Sequence, residues 1–255
     1  MSGNPEADEG RERRQALAEL AATVSSCRAC PRLVAWREEV AQTPRPASAG
    51  GTYWSRPLPG FGDPAARLLV VGLAPAAHGG NRTGRMFTGD RSGDFLVAAL
   101  WRAGFANQAT STAPDDGLEL IDTYVTAPVR CAPPANRPTP AEQEQCAPYL
   151  QRELALLEEI RVVLALGAFA FESLLTHFAL ERAERVEASG GRARRPRFAH
   201  GAEIEIFDGP GRPLTLLCTY HPSQRNVFTG LLTAPMFDAV LQRARELTGR
   251  PPARR

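Results

Sequence analysis

Residues 72–93 read GLAPAAHGGNRTGRMFTGDRSG, a glycine-rich stretch that also carries arginine, histidine, asparagine and aspartate. The five residues before it, 67–71, read RLLVV, an aliphatic run that predicts a buried strand. After it, an apolar pattern from Asp94 to about Ala103 predicts a helix with Ser92 as its N-cap. The stretch is therefore predicted to be a long loop at the carboxyl end of a strand, the edge at which ligands bind in open α/β sheets.

The sequence of this loop does not match the P-loop, a common phosphate-binding motif. Gly79 and Gly84 have the four-residue separation of a P-loop, but Arg85 and Met86 follow where that motif needs Lys and Ser or Thr. The sequence therefore does not predict an NTPase, and no nucleotide cofactor is expected. Long loops in compact domains are usually functional, so we expect a ligand of another kind.

The bulk composition bounds the class of protein. A chain of 255 residues is long enough for one large α/β domain or two small ones. All 30 basic residues are Arg and the net charge is only +2, so a polyanionic partner is neither required nor excluded. The N-terminus is polar, and the longest apolar run, residues 162–171, is too short to span a bilayer. We therefore expect a cytoplasmic protein with no membrane partner.

Strand and helix patterns alternate along the chain. They predict an α/β fold in which a mostly parallel sheet is flanked by helices. Residues 1–12 and 249–255 are predicted to be disordered tails around a single domain, residues 13–248. The other predicted elements are a helix at 13–26, strands at 123–129, 161–166, 203–207 and 213–220, and helices at 139–159, 168–180 and 235–247.

Four of the five cysteines form two pairs. Cys27 and Cys30 are separated by two residues, and Cys131 and Cys146 by fourteen. Four thiolates suit either a tetrahedral zinc ion or an iron–sulfur cluster, and the spacing does not separate the two. Unrelated buried thiols are the remaining interpretation, which we adopt for Cys218 inside an apolar strand.

Three loops at strand ends, together with the cysteines, resemble the iron–sulfur uracil-DNA glycosylases, and most closely their family 5 (UDGb) branch. The resemblance covers most of residues 27–240. Its motifs are GLAP and NRTGRMFTGD within residues 72–90, CAPPANRP at 131–138 and HPS at 221–223. It implies a three-layer α/β/α fold with a central, mostly parallel four-stranded sheet. It also implies a [4Fe–4S] cluster held by Cys27, Cys30, Cys131 and Cys146.

The resemblance also implies roles for individual residues. Asp90 would stabilise a cationic sugar and activate water, His221 would donate to the base as a neutral imidazole, and Asn136 would hold water or base. Phe87 would stack on the extruded base. The other implied substrate contacts are Gly72, Leu73, Ala74 and Asn81, and the implied DNA contacts are Arg82, Arg85, Arg91, Arg225, Asn226 and the basic loop at 192–197.

Each of the four central residues also has a purely structural interpretation. Asp90 is a candidate turn former or helix N-cap, and Asn136 is a candidate turn residue. Phe87 is a candidate core residue, because buried phenylalanines are common. His221 is a candidate structural histidine.

The chain departs from the wider superfamily at three positions. Leu73 and Ala74 occupy the turn in which better-known branches carry an acidic residue. Ala127 stands where the related iron–sulfur branch has an asparagine that reads the base. The absence of that asparagine implies weaker base selectivity, in line with a branch that accepts deaminated purines as well as uracil.

The activity implied by the resemblance is hydrolysis of the N-glycosidic bond of uracil in DNA, and of other deaminated bases such as hypoxanthine and xanthine, leaving an abasic site. The expected partner is DNA that contains those bases, and a monomer is expected because nothing indicates an obligate protein partner. Two alternatives stay open: a non-catalytic iron–sulfur protein that binds damaged or abasic DNA, and a zinc-stabilised hydrolase of free nucleosides.

Overall fold

The computed structural model describes residues 5–44, 52–178, 195–208 and 212–249. Its strands are β1 Phe61–Gly62, β2 Leu68–Val71, β3 Thr123–Thr126, β4 Val162–Leu166, β5 Glu203–Asp208 and β6 Arg212–Thr219. They form one six-stranded sheet in the order β1-β3-β2-β4-β6-β5.

The four inner strands, β3, β2, β4 and β6, are parallel, which confirms the mostly parallel sheet. The two outer strands run antiparallel, β1 beside β3 and β5 beside β6. The expected number of four strands is therefore wrong, because it counts the parallel centre without the antiparallel edges. β1 has two residues, which is too short to produce a period in the sequence.

The helices of the described residues are α1 Pro5–Ser26, α2 Pro31–Gln42, α3 Gly80–Thr83, α4 Arg91–Arg102, α5 Pro140–Leu156, α6 Ala168–His177, α7 Gln224–Phe228 and α8 Ala234–Leu247. A short 3-10 turn covers Pro134–Asn136. Within these described ranges, no helix is both long enough and apolar enough to cross a bilayer.

The predicted tails need one correction. α1 begins at Pro5, so residues 5–12 are helical rather than part of a disordered tail. The rest of the predicted tails, apart from Gly249, lies outside the described residues; it comprises residues 1–4 and 250–255. Gly249 has a left-handed φ of 70° after the end of α8, a conformation that glycine adopts without strain.

Both faces of the inner sheet are buried under helices, which makes three layers. On one face, Leu68 and Val70 pack into a core with residues of α4 and α8. On the other face, Leu69 and Val163 pack into a second core with residues of α1, α5 and α6. Successive residues of one strand thus face different cores, as the strand pleat requires, and the three-layer α/β/α architecture is confirmed.

The N-terminal caps show how locally the helices are specified. α5 begins with a capping box in which Thr139 Oγ1 accepts from the Glu142 N–H and the Glu142 carboxylate accepts from the Thr139 N–H. α4 is capped by Asp90 and not by Ser92, so its start lies before the predicted one.

The four parallel strands end at the same edge of the sheet, since the register places Val71 opposite Thr126 and the other strands end beside them. The loops that follow β2, β3 and β6 are residues 72–90, 127–137 and 220–223. These loops therefore meet, and together they carry the motifs quoted from the sequence.

Candidate active site and four-cysteine site

A cleft lies between the three loops at this edge of the sheet. Its volume is about 480 Å³, within the range of small-ligand sites. It brings together Asp90, Phe87, His221 and Asn136, the four residues given central roles from the sequence. The rest of its lining is Leu73, Ala74, Pro75, Ala76, Met86, Ser92, Ala127, Ser223, Gln224 and Arg225.

Asp90 lines the cleft and caps α4 at the same time. Its Oδ1 accepts hydrogen bonds from the main-chain N–H groups of Ser92 at 2.9 Å and Gly93 at 3.0 Å. A Cβ atom at Gly79 would lie 1.9 Å from Oδ2, so only glycine fits beside the carboxylate. Burial raises the pKa of Asp90, while the two main-chain N–H groups oppose that rise. The carboxylate is thus held in place by Oδ1, and Oδ2 takes no part in the cap.

Phe87 has a backbone φ of 50°, a conformation that strains a residue with a side chain. Two glycines make room for it: a Cβ at Gly72 would lie 2.7 Å from Phe87 Cζ, and one at Gly93 would lie 2.2 Å from the Phe87 carbonyl oxygen. The ring centroid lies 6.3 Å from that of His221, with 33° between the ring planes. Strain of this kind concentrates at ligand sites.

His221 lies two residues beyond Thr219, the last residue of β6, and its main chain is fixed by a contact from α7. The Asn226 side-chain amide donates to the His221 carbonyl oxygen at 2.9 Å. Burial lowers the pKa of His221 to about 4, so its imidazole is neutral at pH 7. A neutral imidazole keeps one N–H and can donate a hydrogen bond without carrying charge.

The rest of the cleft wall is largely apolar. Ala127 is buried, and Leu73 and Ala74 are half-buried, so these three positions add no polar side chain. Asn136 is exposed and has a left-handed φ of 55°, which asparagine tolerates better than most residues. It therefore contributes an amide group from a tight turn in the loop after β3.

Two residues assigned to substrate contact do not line the cleft. Asn81 is fully buried, and its Nδ2 donates to the Arg37 carbonyl oxygen at 3.2 Å. Gly72 lies beside the Phe87 ring and donates its N–H to the Thr126 carbonyl oxygen at 2.9 Å. Their direct contact with the substrate therefore gains no support from the lining of the cleft and stays a prediction.

Arg85 is buried inside the protein. It pairs with both carboxylate oxygens of Asp116 at 2.8 Å, and its Nε donates to Thr88 Oγ1 at 2.9 Å. A further bond reaches Ser111 Oγ at 3.1 Å. Because its guanidinium is engaged in this buried network, the structure gives no support to the prediction that Arg85 contacts DNA.

Three arginines around the cleft present guanidinium groups that are not fully buried. Arg225 is exposed and lines the cleft. Arg91 lies over the exposed ring of Phe228, 5.3 Å from its centroid. Arg82 is half-buried; its Nη2 donates to the Gly89 carbonyl oxygen at 2.9 Å and its Nε to the His78 carbonyl oxygen at 3.0 Å.

The remaining predicted DNA contacts are Asn226 and the basic loop at 192–197, and their described side chains bond to other parts of the protein. The Asn226 side-chain amide donates to the His221 carbonyl oxygen and so positions that histidine, while its contact with DNA stays a prediction. In the basic loop at 192–197, Arg195 forms an exposed ion pair with Glu172. Residues 192–194 of that loop lie outside the described residues.

The four paired cysteines line a second, smaller cavity. Cys27 and Cys30 lie between α1 and α2, Cys131 lies in the loop after β3, and Cys146 lies in α5. Burial raises the pKa of Cys131 to about 12, and burial and the neighbouring thiols also raise the pKa values of Cys30 and Cys146. In the part of the chain that the structure describes, no three Cys, His, Asp or Glu side chains form a site for a single metal ion.

Hydrogen-bond donors face the sulfur atoms of this cavity. The buried guanidinium of Arg37 donates from Nη1 to Cys131 Sγ at 3.0 Å. A hydrogen bond with Cys27 is the main reason that the pKa of Tyr149 rises to about 12. Charged acceptors form the stronger hydrogen bonds, so these donors act against the rise in thiol pKa that burial causes, and they stabilise thiolates once a metal group is bound. The donor set therefore fits a group that is ligated by four thiolates, such as an iron–sulfur cluster.

A buried ion pair connects the cysteine cavity with the sheet. Arg130 pairs with Glu153 at 2.6 Å, and its Nη1 donates to Thr126 Oγ1 at 2.6 Å. The Glu153 carboxylate also accepts from the Gly60 N–H at 3.1 Å. The main-chain N–H of Arg130 bonds to the Cys146 sulfur. The end of β3, helix α5 and the cysteine cavity are thus fixed relative to each other.

Comparison with known proteins agrees with the fold and with the motifs that form the cleft. A sequence model of the uracil DNA glycosylase superfamily matches residues 59–245, which is more than half of the chain. The chain belongs to the uracil DNA glycosylase superfamily.

Relatives within the superfamily match nearly the whole chain. The type-5 uracil-DNA glycosylase of Mycobacterium leprae is 52% identical over 234 residues, 91% of this chain and 96% of that protein. The type-5 uracil-DNA glycosylase of Thermus thermophilus is 50% identical over 227 residues, 89% and 96% of the two chains. That of Pyrobaculum aerophilum is 43% identical over 219 residues, 86% and 88% of the two chains.

Some lining residues of this uracil DNA glycosylase superfamily member were not singled out from the sequence as part of the site. Pro75 and Met86 lie inside the quoted motifs, so the motifs held the information. Ala76, Ser92 and Gln224 line the cleft because of how the loops fold, and no property of their side chains marks them in advance.

Proposed function

We propose that this protein hydrolyses the N-glycosidic bond of uracil in DNA and leaves an abasic site. The observation that carries the proposal is one cleft that holds a fixed carboxylate, a neutral imidazole and an aromatic ring. The relatives named type-5 uracil-DNA glycosylase, at 43% to 52% identity, support it.

Asp90 acts on the sugar side of the scissile bond. When that bond breaks, positive charge develops on the deoxyribose and negative charge on the departing base. Oδ1 is fixed by the helix cap, so Oδ2 is the oxygen that stabilises the cation and accepts a proton from the attacking water. The cap means that the carboxylate is already in place before the substrate binds, which lowers the cost of ordering it.

His221 acts on the base. Because its imidazole is neutral at pH 7, it donates one hydrogen bond to a carbonyl oxygen of the base and strengthens that bond as negative charge develops. Main-chain N–H groups of the turn at Leu73 and Ala74 are placed to assist, and Asn136 holds water or the base at the exposed side.

The cleft accepts more than one deaminated base. Phe87 offers an aromatic face for stacking, which every base can use. Ala127, Leu73 and Ala74 provide no side-chain group that would pair with one base and reject another. Hypoxanthine and xanthine in DNA are therefore proposed as further substrates.

The cofactor is proposed to be a [4Fe–4S] cluster on Cys27, Cys30, Cys131 and Cys146. The convergence of the four thiols in one cavity and the donors directed at their sulfur atoms support it. When bound, such a cluster supplies a rigid cross-link between α1, α2, the loop after β3 and α5. The residues of this chain that do chemistry on the substrate lie in the other cavity.

DNA phosphates are proposed to be bound by Arg225, Arg91 and Arg82. These three residues lie in or beside the loops that form the cleft, so phosphate contacts there would place the extruded nucleotide over it. A monomer and a cytoplasmic location belong to the same proposal.

The test is incubation with a duplex that contains one uracil opposite guanine, followed by alkali. Strand scission after alkali treatment is expected, with none in the same duplex containing cytosine in place of uracil. The second candidate function is non-catalytic binding of damaged DNA, and the cap made by Asp90 favours it because capping alone explains that aspartate. Retention of the uracil duplex in a gel without alkali-labile sites would support that candidate and contradict ours.

A further inference from the structure

Arg37 in α2 is a buried cation whose contacts are with the cysteine site. It is 2% exposed, and it donates to Cys131 Sγ at 3.0 Å and to the Cys27 carbonyl oxygen at 3.3 Å. Within the described residues, no ion pair includes Arg37 and its Nε has no hydrogen-bond partner. A guanidinium stays protonated, and a buried charge without a counter-charge is costly. Its contacts indicate that thiolate sulfur supplies the counter-charge.

The main chain of the same residue contacts the loop that carries Asp90. The Arg37 carbonyl oxygen accepts from Asn81 Nδ2 at 3.2 Å, and the Ala77 carbonyl oxygen accepts from the same amide at 3.4 Å. Asn81 is fully buried, and its Oδ1 has no partner among the described residues. The Asn81 amide is therefore oriented by the two carbonyl oxygens that accept from it, and one of them belongs to Arg37.

Asn81 lies in α3, and α3 determines where Asp90 lies. The next residue, Arg82, donates to the carbonyl oxygen of Gly89, which directly precedes Asp90, at 2.9 Å. Thr83 Oγ1 donates to the Thr88 carbonyl oxygen at 3.2 Å. The cap residue of α3, Gly79, is in close contact with the Asp90 carboxylate. A shift of α3 would therefore move Asp90.

We propose that Arg37 is a positioning residue that joins the four-cysteine site to Asp90. Its guanidinium balances the charge of the cysteine ligands, and its carbonyl oxygen holds Asn81 and, through α3, the Asp90 carboxylate. The inference rests on the proposed glycosylase function, and it explains why a buried arginine and a buried asparagine connect two sites whose linings share no residue.

The first arm of the test replaces Asn81 by Ala. Excision of uracil in a single turnover is expected to slow by roughly 10- to 100-fold, because small displacements of a catalytic group cost rates of that order. Affinity for uracil DNA and iron content per chain are expected to stay at the wild-type values. Asn107→Ala is the matched control, since that exposed amide donates to the Gly117 carbonyl oxygen in a surface loop.

Asp90→Asn in the same assay separates this inference from the proposed function. If Asn81→Ala excises at the wild-type rate while Asp90→Asn is slow, the link is wrong and the function stands. If Asp90→Asn is also as fast as wild type, the proposed mechanism itself is wrong.

The second arm replaces Arg37 by Gln and, separately, by Lys. Loss of a cation beside a cluster disfavours its more negative, reduced state, so Arg37→Gln is expected to shift the reduction potential to more negative values. Lower iron content and faster bleaching of the visible absorbance are expected as well. Arg37→Lys keeps the charge and is expected to keep the potential near the wild-type value.

Two outcomes would overturn the charge role of Arg37. One is a potential and an iron content in Arg37→Gln equal to those of wild type; the other is equal loss of iron in the Gln and Lys variants. A wild-type protein that purifies without iron would overturn both the cofactor and the charge role, and the Asn81→Ala rate would then decide the mechanical link.

Discussion

In the proposed mechanism, Asp90 combines two tasks that many proteins give to separate side chains. One oxygen accepts from the first N–H groups of α4, and the other lies against Gly79 and takes no part in the cap. The structural interpretation of this residue as an N-cap and the catalytic one are therefore compatible, because a carboxylate has two oxygens. This division makes the two tasks separable by mutation.

Asp90→Asn is expected to keep the cap and lose the charge, because Asn and Asp are similar N-cap residues. Uracil excision in a single turnover should fall by roughly 10²- to 10⁴-fold, the usual contribution of a positioned acid or base. Asp90→Ala should lose both, with an added cost of about 0.5–2 kcal/mol in the free energy of unfolding. Equal rates for wild type and Asp90→Asn would remove this carboxylate from the mechanism.

The pH dependence of excision follows from two residues. Asp90 must be ionised, and burial raises its pKa, so its carboxylate is lost at a higher pH than that of an ordinary aspartate as the solution is acidified. His221 becomes charged only near its lowered pKa of about 4. The single-turnover rate should therefore decline on the acid side only, and the decline should begin at a higher pH than an ordinary aspartate would give. A rate that rises towards acid pH would contradict these assignments.

At the scale of elements, the sequence predicted the features that neighbouring residues specify, and it did not predict those that depend on contacts between distant residues. The capping box at Thr139 and the aliphatic runs of the inner strands were predicted because neighbouring residues specify them. α3 lies inside a stretch interpreted as loop, since its four residues, GNRT, include no apolar side chain and are too few to produce a helical period. Its formation depends on distant contacts such as that of Asn81 with Arg37.

Dependence on distant contacts also explains where the predicted site residues and the observed lining of the cleft differ. Residue types and spacing correctly led to Asp90, Phe87, His221 and Asn136 as lining residues of one cleft. They did not distinguish an arginine on the surface from Arg85, which pairs with an aspartate 31 positions along the chain. Burial and side-chain direction of polar residues are properties of the folded chain.

Helix α5 tests how local capping supports the cysteine cavity. Thr139→Ala removes the cap from the helix that carries Cys146, and a lost cap costs about 1 kcal/mol. For a domain of this size the midpoint of thermal unfolding should fall by roughly 2–4 °C. Thr139→Ser keeps an acceptor oxygen and should unfold close to the wild-type temperature. An unchanged midpoint in the Ala variant would show that the Glu142–Arg32 ion pair, at 2.7 Å, suffices to start the helix.

For the whole molecule, DNA binding is better predicted from the positions of the arginines than from the net charge. The chain carries only +2 overall. Arg85 is neutralised inside, whereas Arg225 is exposed beside the cleft. Removal of Arg225 should therefore change DNA binding, whereas removal of Arg85 should change the stability of the fold.

Arg225→Ala should weaken DNA binding and reduce the slope of log affinity against log salt by about 1, with no change in thermal stability. Arg85→Ala should leave that slope unchanged and lower the free energy of unfolding by at most about 3–5 kcal/mol, because Asp116 would lose its counter-charge and keep only its main-chain N–H donors. Fluorescence anisotropy at several salt concentrations and thermal unfolding measure the two effects. The reverse pattern would exchange the roles of the two arginines.

The helix cap at Asp90 has a consequence for how such a protein evolves. A lineage that no longer needed catalysis would still be under pressure to keep a side-chain oxygen there, because α4 begins with it. An asparagine at this position in a distant homologue would mark a pseudoenzyme with an intact scaffold. An aspartate there is compatible with either history, so its presence alone is no proof of turnover.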